Sequence, residues 1–322
     1  MIENKYNKIK LLFCTEMYCD GVREMGITNS YHNLFGSLKH SGLNIPFQVV
    51  HYDQCMIEHN IHLDNVILKI LKDNKINVVI HSFLGKSPCN LSHDKLKQIK
   101  DLGIFQCVTW PDTGYDFGHK EIVELKDIID FNVSFDNCFN YSETHKNHIW
   151  LWTPQDDKLY FKGHHQDIPC SFLGSVNTQE RQEFLSYAMT KNAPIMVRGG
   201  QRNEKLSPEQ YASFMRRSKI CLNFPWSNGN FYQAKGRVYE ALASHCLVLE
   251  RKNDFTSKVI KPNVEYIEYD SPQDMVDKIN YYLNHDEERN KIASSGYQAY
   301  QERFHSKYFW SKFFDHIIDK IN

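Results

Sequence analysis

Apolar residues in this chain come in short runs separated by amphipathic stretches, and the alternation predicts a repeating β/α architecture. Residues 8–18 carry an apolar run behind a basic start, the pattern of a first strand buried on both faces. A polar loop with Asp20-Gly21 and Gly26 follows, and residues 30–40 predict a helix packed back on that strand. The repeat continues with strand 47–52, helix 63–74, strand 77–82, helix 93–102 and strand 105–110. Strands at 131–135 and 149–152 complete a first doubly wound α/β unit.

A second series begins at residues 170–173, where a strand runs into Gly174-Ser175, and proceeds through helix 179–190 and strand 195–197. Ser207-Pro208-Glu209-Gln210 combines an N-cap serine, a first-turn proline and a capping-box glutamine, and Ser271-Pro272 repeats the serine-proline start. Between these helices lie strand 220–224, helix 237–244 and strand 246–249. The expected division is an N-terminal Rossmann-like domain over 1–152, a polar linker over 153–167 with Pro154 and Asp156-Asp157, and a C-terminal Rossmann-like domain over 168–300. The aromatic-rich segment 301–322, within a helical stretch starting at 286, is expected to form a helix packing across the domains.

Composition supports ordered domains: 322 residues exceed what one core usually fills, and 41% are hydrophobic. No apolar run approaches the roughly 20 residues that span a bilayer. The first residues lack the basic, apolar and small-residue sequence of a signal peptide, so the cytoplasm is the expected location. Nine cysteines without a Cys-x-x-Cys pair suit a reducing compartment. His164 and His165 are adjacent and so cannot share a helix face; no metal site is expected. With 38 basic and 39 acidic residues, nothing draws the chain as a whole toward nucleic acid.

Candidate chemistry concentrates between Leu222 and Ala243. A strand stops at Pro225, a polar loop through Gly229 follows, and a helix starts near Gly236. Lys235 and Arg237 stand at that helix N-terminus, where cations oppose the dipole and a bound phosphate reverses the penalty. Glu240 lies one turn deeper on the same face, suited to accept hydrogen bonds from ribose hydroxyls. The alternative is a local Arg237–Glu240 ion pair with no ligand at all. Arg198, before Gly199-Gly200, is a further phosphate candidate.

From residue 168 to about 300 the chain resembles the spore-maturation-protein-like branch of the group 1 glycosyltransferases. The likeness rests on Phe172-Leu173-Gly174-Ser175, residues 207–211, residues 218–224 through Asn223, residues 235–243, and Tyr281-Tyr282-Leu283 with Glu288-Arg289 and Ile292-Ala293. It implies the GT-B fold, two tandem Rossmann-like domains facing a cleft, and transfer of a sugar, most readily a hexose, from a UDP- or GDP-sugar. The donor is a substrate, and no cofactor is implied. The resemblance puts Gly174 and Ser175 beside the nucleotide, Lys235 and Arg237 on the diphosphate, and Glu240 on the ribose; Asn223, Tyr232 and Gly236 complete the expected donor-binding set.

Many group 1 enzymes carry a second glutamate eight positions before the ribose-binding one, touching the donor sugar. Tyr232 stands there in this chain, and the stereochemical course stays open. Tyr239-Glu240 and Ser244-His245-Cys246 are also similar to fucosyltransferases of the same architecture, which invert. The chain has no Asp-x-Asp motif, and fixed cations with helix N–H groups can stabilise a departing diphosphate without a metal ion. An inverting reaction needs a base in the N-terminal half. Asp20 and Asp112, the latter with Asp116 and His119 nearby, follow strand ends, while a turn-forming role beside Gly21 and Gly114 is the alternative. A sugar epimerase and a non-catalytic nucleotide-sugar-binding relative remain the competing activities. The acceptor, whether glycan, lipid-linked glycan, protein or modified nucleobase, is not specified by any motif.

Overall fold

The computed structural model describes residues 5–28, 31–83, 85, 87–136, 147–199, 206–227 and 231–321, the side chains of 31–32 and 116–119 excepted. Ser30, Gly200, the loop residues 228–230 and the side chains of Asp116 and His119 therefore lie outside the described residues. The chain divides into two compact units: residues 1–151 with 307–322, and residues 152–306.

Unit 1 is built on a parallel six-stranded sheet of β1 (Leu11–Thr15), β2 (Phe47–His51), β3 (Val78–His81), β4 (Phe105–Trp110), β5 (Phe131–Ser134) and β6 (His148–Trp150), in the order β2-β1-β3-β4-β5-β6. All five residues of β1 are buried, which is why its sequence is a continuous apolar run with no alternation. Helices α1 (Ser37–His40), α2 (Tyr52–His59), α3 (Ile67–Asp73), α4 (His93–Asp101) and α5 (Asp116–Glu124) connect the strands. Two of them, α2 and α5, are absent from the expected pattern. α2 escapes a reading by periodicity because its first turn buries Asp53, whose carboxylate accepts hydrogen bonds from Met17 N at 2.7 Å and Tyr18 N at 2.9 Å.

Unit 2 has a parallel five-stranded sheet of β7 (Ile168–Leu173), β8 (Ile195–Arg198), β9 (Ser218–Asn223), β10 (Leu247–Arg251) and β11 (Ile267–Tyr269), ordered β11-β10-β9-β7-β8. Its helices are α6 (Gln179–Thr190), α7 (Pro208–Arg217), α8 (Gly236–Ala243), α9 (Asp254–Ser257), α10 (Pro272–Asn284) and α11 (Asp286–Ala299). Both serine starts cap as expected. Ser207 and Gln210 form a reciprocal capping box on α7, and the Ser271 side chain accepts from Asp274 N on α10, each contributing about 1 kcal/mol. Strand β11, of three residues, is absent from the expected pattern.

Residues 153–167, read from the sequence as a linker, belong to unit 2, where Gln155, Asp156 and Tyr160 are buried. The helical stretch after 286 is interrupted by a π-type turn at Tyr300–Phe304, and α12 (Ser306–Ile317) carries the chain back into unit 1. Its aromatic stripe is core: Phe309, Trp310, Phe313, Phe314 and Ile317 have no exposed surface. Trp310 meets Phe13 of β1 edge-on at 5.9 Å, Phe313 meets Phe131 of β5 at 5.7 Å, and Trp310 Nε1 donates to Ser37 Oγ at 2.9 Å. The C-terminal segment thus completes the N-terminal unit's core.

Trp310→Ala removes a buried indole and leaves the Ser37 hydroxyl without its donor. It is expected to cost about 3–5 kcal/mol, read as a lower urea midpoint of the transition that reports unit 1.

Candidate functional site

In a parallel sheet of this type, ligands bind beyond the carboxyl ends of the strands, where the strand order reverses. In unit 2 that point lies between β7 and β9, because β8 lies outward on one side and β10 and β11 on the other. Helix α8 brings Arg237 to it. The arginine Nε donates to Leu173 O, at the end of β7, at 2.7 Å, and Nη1 donates to Asn223 Oδ1, at the end of β9, at 2.8 Å. The guanidinium lies 4.9 Å from the centre of the Phe172 ring. A Cβ on Gly174 would collide with Nη2, so the glycine makes room for the outer edge of the fork.

Burial opposes the charge of Arg237, but Tyr211, Cys221 and Glu240 outweigh it and hold the guanidinium above its ordinary pKa. The local Arg237–Glu240 ion pair considered from the sequence does not form. Glu240, 5% exposed, accepts instead from Tyr211 OH of α7 at 2.9 Å. Burial raises its carboxyl above the usual range, with Arg237's charge and hydrogen bonds from Tyr211 and Tyr160 pulling it back. The site therefore holds a cation bonded to neutral acceptors one helical turn from a tyrosine-bound carboxylate.

Other sequence candidates take supporting or outlying places. Lys235 is the N-cap residue of α8, in extended conformation, and Gly236 opens the helix, where an added Cβ would touch Thr153. Ser175 belongs to a loop braced by Arg181 of α6, whose Nη1 donates to Ser175 O at 2.9 Å. Arg198 is exposed at the end of β8; its backbone O accepts from Gly174 N at 2.8 Å while its side chain returns to Val197 O. Tyr232 clasps the loop after β9, pairing with Trp226 through an isolated antiparallel bridge and an edge-on ring contact at 4.8 Å.

Several participants were not read from the sequence. Phe172 and Tyr211 sit inside the motifs that carry the resemblance, but their roles depend on which way their side chains point. Tyr160 and Arg181 are on segments read as linker and plain helix. Glu250, buried in the middle of the unit behind Asn223, gave no sequence signal; its Oε1 accepts from Asn223 Nδ2 at 2.8 Å. Burial raises its carboxyl from 4.5 to about 7, against the hydrogen bond from Asn223 that lowers it.

Unit 1 has its own reversal, between β1 and β3. Glu16 lies there, 8% exposed, accepting from Thr15 Oγ1 at 3.0 Å and Thr28 Oγ1 at 3.1 Å. The Tyr52 hydroxyl lies 2.9 Å from Ser82 O and 3.2 Å from Glu16 Oε2, spanning the two strand ends. Asp20 is exposed and left-handed, with φ 54°, in a short turn. Asp112 is half-buried in the loop after β4, a loop held by Asp136, which accepts from Thr113 N at 2.5 Å and Gly114 N at 3.2 Å. Among the described residues, no three His, Cys, Asp or Glu side chains gather as a metal-binding group, and no helix is long and apolar enough to cross a membrane.

Two expectations follow from this geometry. Because the Glu250 carboxyl is raised in the folded state, the folded chain keeps a proton that the unfolded chain releases between pH 4.5 and about 7, and stability falls as pH rises through that window. Glu250→Gln removes this loss, so its melting temperature exceeds wild type above pH 7, with a gain on the order of 3 kcal/mol, and the advantage disappears near pH 4.5. Gly174→Ala displaces the guanidinium but no backbone, and should leave the melting temperature nearly unchanged.

The comparisons with known proteins agree with this architecture. Residues 172–319 match a sequence family described as glycosyl transferase-like. No curated protein sequence matches the chain significantly. Among solved structures, a glycosyltransferase from Rickettsia africae superposes with a TM-score of 0.62 at 11% identity, covering 98% of this chain and 99% of that one. The HepE protein of Anabaena, in complex with UDP-glucose, gives 0.64 at 9% identity over 95% of this chain and 99% of its own. Sucrose-phosphate synthase from Thermosynechococcus elongatus gives 0.61 at 9% identity over 97% and 100%. The chain has the GT-B fold of these enzymes, and its C-terminal part carries the glycosyl transferase-like sequence pattern.

Proposed function

We propose that the chain is a glycosyltransferase that moves a hexose from a UDP- or GDP-sugar to a hydroxyl acceptor without a divalent metal ion. The observation that carries this reading is Arg237, a cation at the switch point of unit 2 whose hydrogen bonds go to the neutral acceptors Leu173 O and Asn223 Oδ1. A diphosphate brought against its outer edge and the first turn of α8 gains a fixed cation and helix N–H groups. Negative charge growing on a departing nucleotide is stabilised by the same groups.

Glu240 supports the second half of the assignment. Its carboxylate, already hydrogen-bonded to Tyr211, is an acceptor suited to ribose hydroxyls. The match of residues 172–319 to a glycosyl transferase-like family covers both groups. HepE, which shares the fold, is known in complex with UDP-glucose, and a UDP-sugar is accordingly the first donor to test. We assign the acceptor to unit 1.

Screening nucleotide sugars by thermal shift identifies base and sugar together, because a bound donor raises the melting temperature by mass action. Arg237→Ala and Glu240→Ala are each expected to keep the fold and to weaken binding by about 10- to 100-fold, the range for one charge-assisted contact. Calorimetric affinities of both variants for UDP and GDP equal to wild type would refute the site. Binding without transfer to any hydroxyl acceptor would identify a non-catalytic relative, and conversion of the sugar with no acceptor present an epimerase.

A further inference from the structure

Glu250 is fully buried, and none of the steps above uses it. In the sheet it stands opposite Asn223, and register partners in neighbouring parallel strands project from the same face. Asn223, 1% exposed, fills the space between Glu250 and Arg237: its Nδ2 donates to Glu250 Oε1 and its Oδ1 accepts from Arg237 Nη1, both at 2.8 Å. Tyr269 OH donates to Asn223 O at 2.8 Å and holds the backbone beneath.

The order of these bonds has a chemical logic. An amide can be turned either way about its terminal bond, and its two ends differ. A carboxylate only accepts and a guanidinium only donates, so an amide between them has one allowed orientation. Glu250 therefore reinforces the orientation that turns the Asn223 oxygen to Arg237. With Nε on Leu173 O, Nη1 on Asn223 and the plane over Phe172, the guanidinium is set from three sides and Nη2 lies at Gly174.

We propose that Glu250 is a positioning residue of the donor site, acting through Asn223 to hold the Arg237 guanidinium where a diphosphate meets it. This rests on the donor-site reading above. The role is separable from a structural one because burying the carboxylate opposes stability at neutral pH. Removing its charge should make the protein more stable and its nucleotide site worse. A residue that only supports the fold would move both in the same direction.

The test measures affinities of the full chain for UDP-glucose and GDP-mannose by calorimetry at pH 8, with melting temperatures alongside. Glu250→Gln is expected to weaken whichever probe binds by about three- to tenfold, the size of one hydrogen bond's contribution, while the melting temperature rises. In an Asn223→Ala background the same substitution should have no further effect.

Unchanged affinity in Glu250→Gln overturns the proposal. So does tighter binding, the result if the carboxylate merely repelled the diphosphate through space, and so does an undiminished effect in the Asn223→Ala background. If neither probe binds wild type, or Arg237→Ala binds as tightly as wild type, the donor-site reading itself fails and the positioning role falls with it.

Discussion

Much in unit 2 depends on one guanidinium spanning the place where the strand order of the sheet reverses. Connections leave β7 and β9 in opposite directions, opening a crevice with polar groups at the strand ends. Arg237 bonds to both ends, to Leu173 O and Asn223 Oδ1. Taking a cation out of water is expensive, and the expense is reduced here by neutral acceptors and the face of Phe172. Arginine suits this position because its five donors form a rigid fork, part of which ties the strands while the outer edge remains at Gly174.

Around that cation the unit accumulates groups that an apolar core would exclude. Glu240 and Glu250 are both buried, and burial raises both carboxyls above their ordinary range. Each is tolerated because a specific donor meets it, Tyr211 for the first and Asn223 for the second. The tyrosine-bound carboxylate and the amide-bound one lie on different elements, α8 and β10, so the site depends on both the helix and the sheet behind it.

Unit 1 repeats the topology with different chemistry. Its reversal between β1 and β3 is spanned by the Tyr52 hydroxyl, with the carboxylate of Glu16 alongside. The same geometric feature carries a cation in one unit and an acid in the other, and so the fold alone does not define what each binds. α12 belongs to this unit's core through Phe309, Trp310, Phe313 and Phe314, although its sequence follows unit 2.

By itself the sequence determined the class of fold, most strands and the strand-to-helix segment that carries Arg237 and Glu240. Those features are local: continuous apolar runs for buried parallel strands, serine caps at 207 and 271, and a helix start at Gly236 flanked by cations. It also predicted that the terminal aromatic stripe faces a core. Only the tertiary structure decided which core, because residues 307–322 pack on strands far earlier in the chain. It likewise decided that Arg237 bonds to Leu173 and Asn223 and leaves Glu240 to Tyr211, since side-chain partners 14 to 64 residues apart follow from strand order and have no periodicity to reveal them. Glu250 is the clearest case. In sequence it is one polar residue just past an apolar run, and its connection to the site exists only because β10 lies beside β9 in register.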